Sequence, residues 1–153
     1  MTAICLDATL IKGHQVASGL GGDPRFPGGT IQSQIPYFRA LGLELGDYYC
    51  GTLNLSIAPW QFKPRQARYR FAKLCWTEQA PAEDFSFFDC QLLITDQVIE
   101  GLVYYPHPET KPEHFQPTSV LEVLAPFIPN LAYGAELKLK LDDQQITLFQ
   151  TPT

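Results

Sequence analysis

Thirteen prolines and eleven glycines are scattered along the chain, and they constrain its fold more than any other feature. Proline fixes φ and removes a backbone donor, so neither a helix interior nor a central strand tolerates it well. Punctuation this dense predicts many turns and short elements, and argues against long helices. The 153 residues are 45% hydrophobic and 18% charged, a globular composition with enough apolar surface for one core. No linker, repeat or low-complexity stretch divides them, so 1–153 reads as a single domain.

Alternation places strands at 51–57, 67–76, 119–125, 135–141 and 145–149, with a short strand pair or one bent strand at 8–17. Residues 85–95 and 98–105 read as a hairpin turning at Asp96-Gln97. Ile31, Ile35, Phe38 and Leu41 have helical spacing and Gly42 follows as a C-cap. Pro36 suits a first turn, which puts the helix at about 34–41. Residues 106–118 form a long proline-rich loop. Six to eight strands, one clear helix and no βα repeat point to an all-β fold, a closed or nearly closed barrel.

Net charge is −5 and the pI is about 5.1, which counts against nucleic acid as a partner. The start Met1-Thr2-Ala3-Ile4-Cys5 lacks the shape of a signal peptide, and no run of ~18 apolar residues suits a membrane. Cys5, Cys50, Cys75 and Cys90 form no C-x-x-C pair or zinc spacing. The expectation is a soluble cytoplasmic protein with reduced thiols. Oligomeric state is not legible.

Two strings carry chemistry. Ser18-Gly19-Leu20-Gly21-Gly22 is a Gly-rich turn whose backbone N–H groups can approach phosphate. Gly51-Thr52-Leu53-Asn54-Leu55 alternates, so Thr52 and Asn54 share a side and present neutral oxygens. Such oxygens suit Mg²⁺ when phosphates supply the negative charge. Taken alone, the first string is more often a tight turn and the second an ordinary strand. Glu122 shares a face with Val120 and Leu124, where a bare charge is costly, so it is paired or functional.

Lys63, Arg65, Arg68, Arg70 and Lys73 cluster in one stretch, either to neutralise phosphate or, more commonly, as solvated edge protection. Phe85, Phe87, Phe88, Tyr104 and Tyr105 either stack on a ligand ring or, as most such residues do, fill the core. His107 and His114 lack nearby zinc ligands and read as ordinary loop histidines, whereas His14, beside the Gly turn, either touches phosphate or is a satisfied strand histidine.

The ordered strings resemble the archaeal CTP-dependent riboflavin kinases. Gly13 to Gly21 resembles their Gly-rich opening and Leu41-Gly42 their helix end. Gly51 to Leu55 is similar to their G-T-L-N-L, and Ile99 to Pro106 to their hairpin end. Thr110 resembles a loop threonine, Val120 to Pro126 the I-I-E-I-I-A-P segment, and Gly134 to Leu139 the closing strand. The likeness spans roughly residues 11–141.

The resemblance implies a six-stranded cradle-loop barrel with one or two short helices. It implies transfer of the γ-phosphate of CTP to riboflavin, giving FMN. Ser18, Gly19, Leu20, Gly21, Gly22 and Arg25 would then contact the nucleotide, and Thr52 and Asn54 would bind Mg²⁺. Thr110 and Glu122 would hold the flavin, with Glu122 the candidate base.

The chain departs from the pattern in three places. The Gly turn runs on as Gly22-Asp23-Pro24-Arg25-Phe26, Phe127-Ile128-Pro129-Asn130 lacks the family's basic residues, and the 106–118 loop is longer. These departures keep open a non-catalytic barrel that binds nucleotide or flavin. A protein-interaction domain is a further class.

Overall fold

The computed structural model describes residues 3–12, 30–49, 51–78, 81–109, 117–129 and 131–150. Among these residues, nine strands and one helix run in the order β1 (Ala3–Ile11), α1 (Thr30–Ala40), β2 (Leu53–Ser56), β3 (Trp60–Pro64), β4 (Tyr69–Leu74), β5 (Glu83–Ile94), β6 (Gln97–Pro106), β7 (Val120–Leu124), β8 (Glu136–Asp142) and β9 (Ile146–Gln150). The fold is mainly β, as composition and punctuation predict.

Six strands pair in the order β5-β6-β7-β2-β1-β8, and β8 pairs back onto β5, so they form a ring. Every pairing is antiparallel. Closure removes the exposed edges that an open sheet would leave. The twelve-residue β5 divides its free edge: Phe85 to Phe87 pair with β4, while Cys90 to Leu93 pair with β8. β3 and β9 make a separate two-stranded sheet, which adds Phe62 and Ile146 to the barrel core.

Alternation along β5, β6 and β7 sorts side chains between two cores. Phe88, Cys90, Leu92, Val103, Leu121 and Val123 face the ring interior. Phe85, Phe87, Leu102, Tyr104 and Leu124 lie on the other face, beneath Ile31 and Phe38 of α1. Both faces are covered, so these strands read as nearly continuous apolar runs. Phe85, Phe87 and Phe88 are fully buried and Tyr104 is nearly so, which makes them core residues rather than ligand-stacking ones. Burial also raises the Cys90 thiol far above its ordinary pKa.

Four expectations change. The helix starts at Thr30, not 34, with Pro36 inside it. The carbonyl that Pro36 deprives of a donor belongs to Gln32, which is exposed to water, so the break costs little. Leu41 lies past the helix and is exposed. Gly42, at φ +99°, closes a Schellman turn: its N–H donates to Arg39 O at 3.1 Å and Leu43 N–H donates to Phe38 O at 2.9 Å. The β5–β6 turn is Thr95-Asp96, one residue earlier than expected, because Ile94 pairs with Gln97 and Thr95 takes the positive φ. β3 was not expected at all, since its pairing partner is the distant β9. The first strand begins at Ala3, and 13–17 fall outside the described residues.

Gly101 is closely packed against backbone. A Cβ there would come within 2.8 Å of the Leu124 carbonyl oxygen and 3.1 Å of Leu92 Cδ1. Gly101→Ala is therefore expected to cost about 1–3 kcal/mol, read as a lower urea midpoint at constant slope. An unchanged midpoint would show that β6 and β7 separate more easily than their packing implies.

Candidate functional site

The strings around Thr52 and Glu122, far apart in sequence, become neighbours through the β2–β7 ladder. Leu53 pairs with Val123, Asn54 with Glu122 and Leu55 with Leu121. Tyr49 N–H extends this zipper by donating to Ala125 O at 3.0 Å, and Gly51 N–H turns back onto Tyr49 O at 2.9 Å. The chain thus enters β2 with Thr52 and Asn54 on the same side as Glu122, while Leu53 and Leu55 point to the core.

Thr52 Oγ1 donates to Glu122 Oε1 at 3.2 Å. This is long for a hydroxyl on a carboxylate, so the contact yields readily to a competing ligand. Asn54 lies directly across from Glu122 and is only 7% exposed. Hydroxyl, amide and carboxylate oxygens therefore gather at one spot. Among the described residues no group of three His, Cys, Asp or Glu could hold a metal by itself.

One row crosses the sheet: Phe87 pairs with Tyr104, Tyr104 with Glu122, and Glu122 with Asn54. Tyr104 is buried and its hydroxyl donates to Gln34 Oε1 of α1 at 2.7 Å. Burial raises the Tyr104 pKa well above its ordinary value, and the charges of Glu122 and Glu83 push the same way. Tyr104 is thus a neutral wall beside the carboxylate. The sequence signal was Gln34, a polar residue on the apolar stripe between Ile31 and Phe38.

Two cavities flank the spot. One of about 380 Å³ opens beside Thr52 and Asn54 and runs under Tyr49, Phe127 and Tyr133. The other, about 50 Å³, lies against Tyr104 and Glu122. The larger is within the usual range for a small-molecule site; the smaller admits little more than water. Among the described residues, none lining the larger cavity carries a charge. Its aromatic rim went unnoticed in the sequence, although Tyr49 shortly precedes GTLNL and Phe127 directly follows Ala125-Pro126.

The basic cluster lies elsewhere. Arg68 pairs with Asp89 at 3.0 Å and Arg70 with Asp84 at 3.7 Å, on or beside the edge strand β4. Three strands, β5, β6 and β7, lie between β4 and β2 along the sheet, so the edge-protection reading fits these arginines. His107 is held by Ser86 Oγ at 2.6 Å and by Glu109 Oε1 at 3.1 Å, an anchor for the loop.

Ser18, Gly19, Leu20, Gly21, Gly22, Arg25 and Thr110, together with His14 and His114, lie outside the described residues. Cys5, Cys75 and Cys90 are free thiols, and Cys50 is outside the described set. Among the described residues no helix is long and apolar enough to cross a membrane. Neither a protein-family model nor a curated protein matches the sequence.

Proposed function

We propose that the chain is a Mg²⁺-dependent small-molecule kinase of the riboflavin-kinase type, transferring the γ-phosphate of a nucleotide such as CTP to the 5′-hydroxyl of riboflavin. The observation behind this reading is the convergence of Thr52, Asn54 and Glu122 beside a cavity of about 380 Å³. The same reading takes the ring of six strands as a cradle-loop barrel and the cytoplasm as its location, with neither nucleic acid nor membrane as partner.

Thr52 and Asn54 would hold Mg²⁺. Their oxygens fit, because Mg²⁺ takes few protein ligands and completes its shell with water and phosphate. When bound, the ion neutralises phosphate charge. Glu122 accepts the proton of the 5′-hydroxyl as that oxygen bonds to the γ-phosphorus. The bond from the γ-phosphorus to the bridging oxygen breaks, the nucleoside diphosphate leaves, and Glu122 returns the proton to solvent. Tyr104, neutral and fixed by Gln34, forms a wall beside the carboxylate.

A second reading, a barrel that binds nucleotide or flavin without turnover, is favoured by the lack of charge among the described residues that line the larger cavity. Phosphoryl transfer needs more charge neutralisation than that wall supplies.

One experiment separates the two. Pure protein is incubated with riboflavin, Mg²⁺ and each of CTP, ATP, GTP and UTP, and FMN is measured by chromatography. FMN is the expected product. No FMN, with a nucleotide raising the melting temperature, leaves the binding barrel. If neither nucleotides nor riboflavin shift the melting temperature, both readings fall.

A further inference from the structure

We infer that Gln34 and Tyr104 are positioning residues for Glu122, and that their hydrogen bond makes α1 part of the site; this rests on the kinase reading above. Gln34 is 2% exposed and Tyr104 4%. The Tyr104 hydroxyl donates to Gln34 Oε1 at 2.7 Å. Gln34 stands on a helical stripe with Ile31, Ile35 and Phe38, where an apolar residue would fill the space without burying an amide. Replacing both members of a buried hydrogen-bonded pair by apolar groups of the same shape is close to neutral for stability. Packing alone therefore does not call for this pair.

Its place in the sheet supplies the reason. Tyr104 pairs with Glu122 across β6 and β7, and Glu122 pairs with Asn54 across β7 and β2. The carboxylate thus has a tyrosine on one flank and the proposed metal seat on the other. Side chains paired in this way stand about 4.5–5.5 Å apart at Cβ. Tyr104 and Glu122 also share the wall of the smaller cavity. Burial, and after it the Glu122 charge, raises the Tyr104 pKa. The hydroxyl stays protonated, its proton is committed to Gln34, and no second negative charge forms beside the base.

A glutamate base needs such a flank. Its side chain has several rotatable bonds, and the Thr52 contact at 3.2 Å is too long to set them. Yet a proton acceptor has to meet the attacking hydroxyl within about 2.6–3.2 Å. The Tyr104 ring lies 5.9 Å from Phe85 and 5.8 Å from Phe87 between centroids. Ring contacts of this kind are satisfied over a range of separations and tilts, whereas a hydrogen bond weakens steeply off its axis. The bond to Gln34 therefore fixes the tip of the ring. The helix carries that constraint because Phe38 packs it edge-to-face onto the same Phe85 and Phe87.

The test compares Tyr104→Phe, Gln34→Met and the double variant by urea unfolding and by FMN formation with Mg²⁺ and the nucleotide that serves the parent. Each single variant strands one buried polar group and should lower the urea midpoint, whereas the double variant, with neither group, should return close to the parent. Turnover should follow a different order. In all three kcat should drop roughly tenfold or more, the double falling no further than the singles, with KM for nucleotide and riboflavin within about twofold of the parent. Slow turnover in a stable double variant is the outcome that a purely structural pair does not give.

Parental kcat in the double variant, or a rate that tracks the urea midpoint across the three, overturns the inference and leaves the kinase reading standing. A raised KM for riboflavin at parental kcat overturns it as well, and makes the pair a substrate contact. A parent that forms no FMN ends both.

Discussion

Phe38→Ala will lower the stability of the domain by about 3–5 kcal/mol, seen as a fall in the urea midpoint. Phe38 has no exposed surface. Its ring meets Phe85 at 5.2 Å and 84° and Phe87 at 5.1 Å and 86°, both edge-to-face, and lies 5.6 Å from Phe71. Removing it deletes the buried area and two favourable ring geometries, each worth about 0.5–1.5 kcal/mol beyond burial.

The hole left behind cannot close easily. Phe85 and Phe87 are fixed on the paired strand β5, and the Schellman turn ties Leu43 N–H to the Phe38 carbonyl. A domain with about 5–15 kcal/mol in hand loses a large part of it. Ile31→Val, on the same buried stripe, should cost about 0.5–1.5 kcal/mol and serves as the scale. A Phe38→Ala cost no greater than that of Ile31→Val would mean that α1 is not docked as described.

That contrast explains what was legible in the sequence. The β5–β6 hairpin was readable because two apolar runs with a polar break between them already specify a local antiparallel pair. The start of α1 was misread because Pro36 was weighed as a start signal, while the cost of an interior proline depends on whether Gln32 faces water, a tertiary fact. β3 was invisible because a five-residue, proline-ended strand has meaning only beside β9.

The site divides in the same way. Thr52, Asn54 and Glu122 could be named, because neutral oxygens on one strand side and a carboxylate among apolar neighbours are local patterns. That Thr52 donates to Glu122 was not legible, since it depends on β2 and β7 being adjacent. Phe127, Tyr133 and Tyr49 escaped notice for a related reason. Sequence alone does not separate an aromatic that fills a core, such as Phe87, from one left exposed beside a cavity.

Glu122→Gln is expected to lower the rate of FMN formation by about 10²–10⁴-fold while nucleotide affinity stays within a few-fold. Glutamine keeps the shape of the side chain and an oxygen that can accept from Thr52 Oγ1, now at 3.2 Å from the carboxylate. It cannot take up a proton at neutral pH. The variant therefore removes the base and spares the contact, and a purely structural role for Glu122 would leave the rate near that of the parent. Thr52→Val makes the opposite cut. It leaves the carboxylate but removes the hydroxyl, so Mg²⁺-dependent nucleotide affinity should weaken first. If Glu122→Gln instead raised the Mg²⁺ concentration needed for half-maximal rate, with full turnover at saturating Mg²⁺, Glu122 would be a metal ligand and the proton acceptor would lie elsewhere.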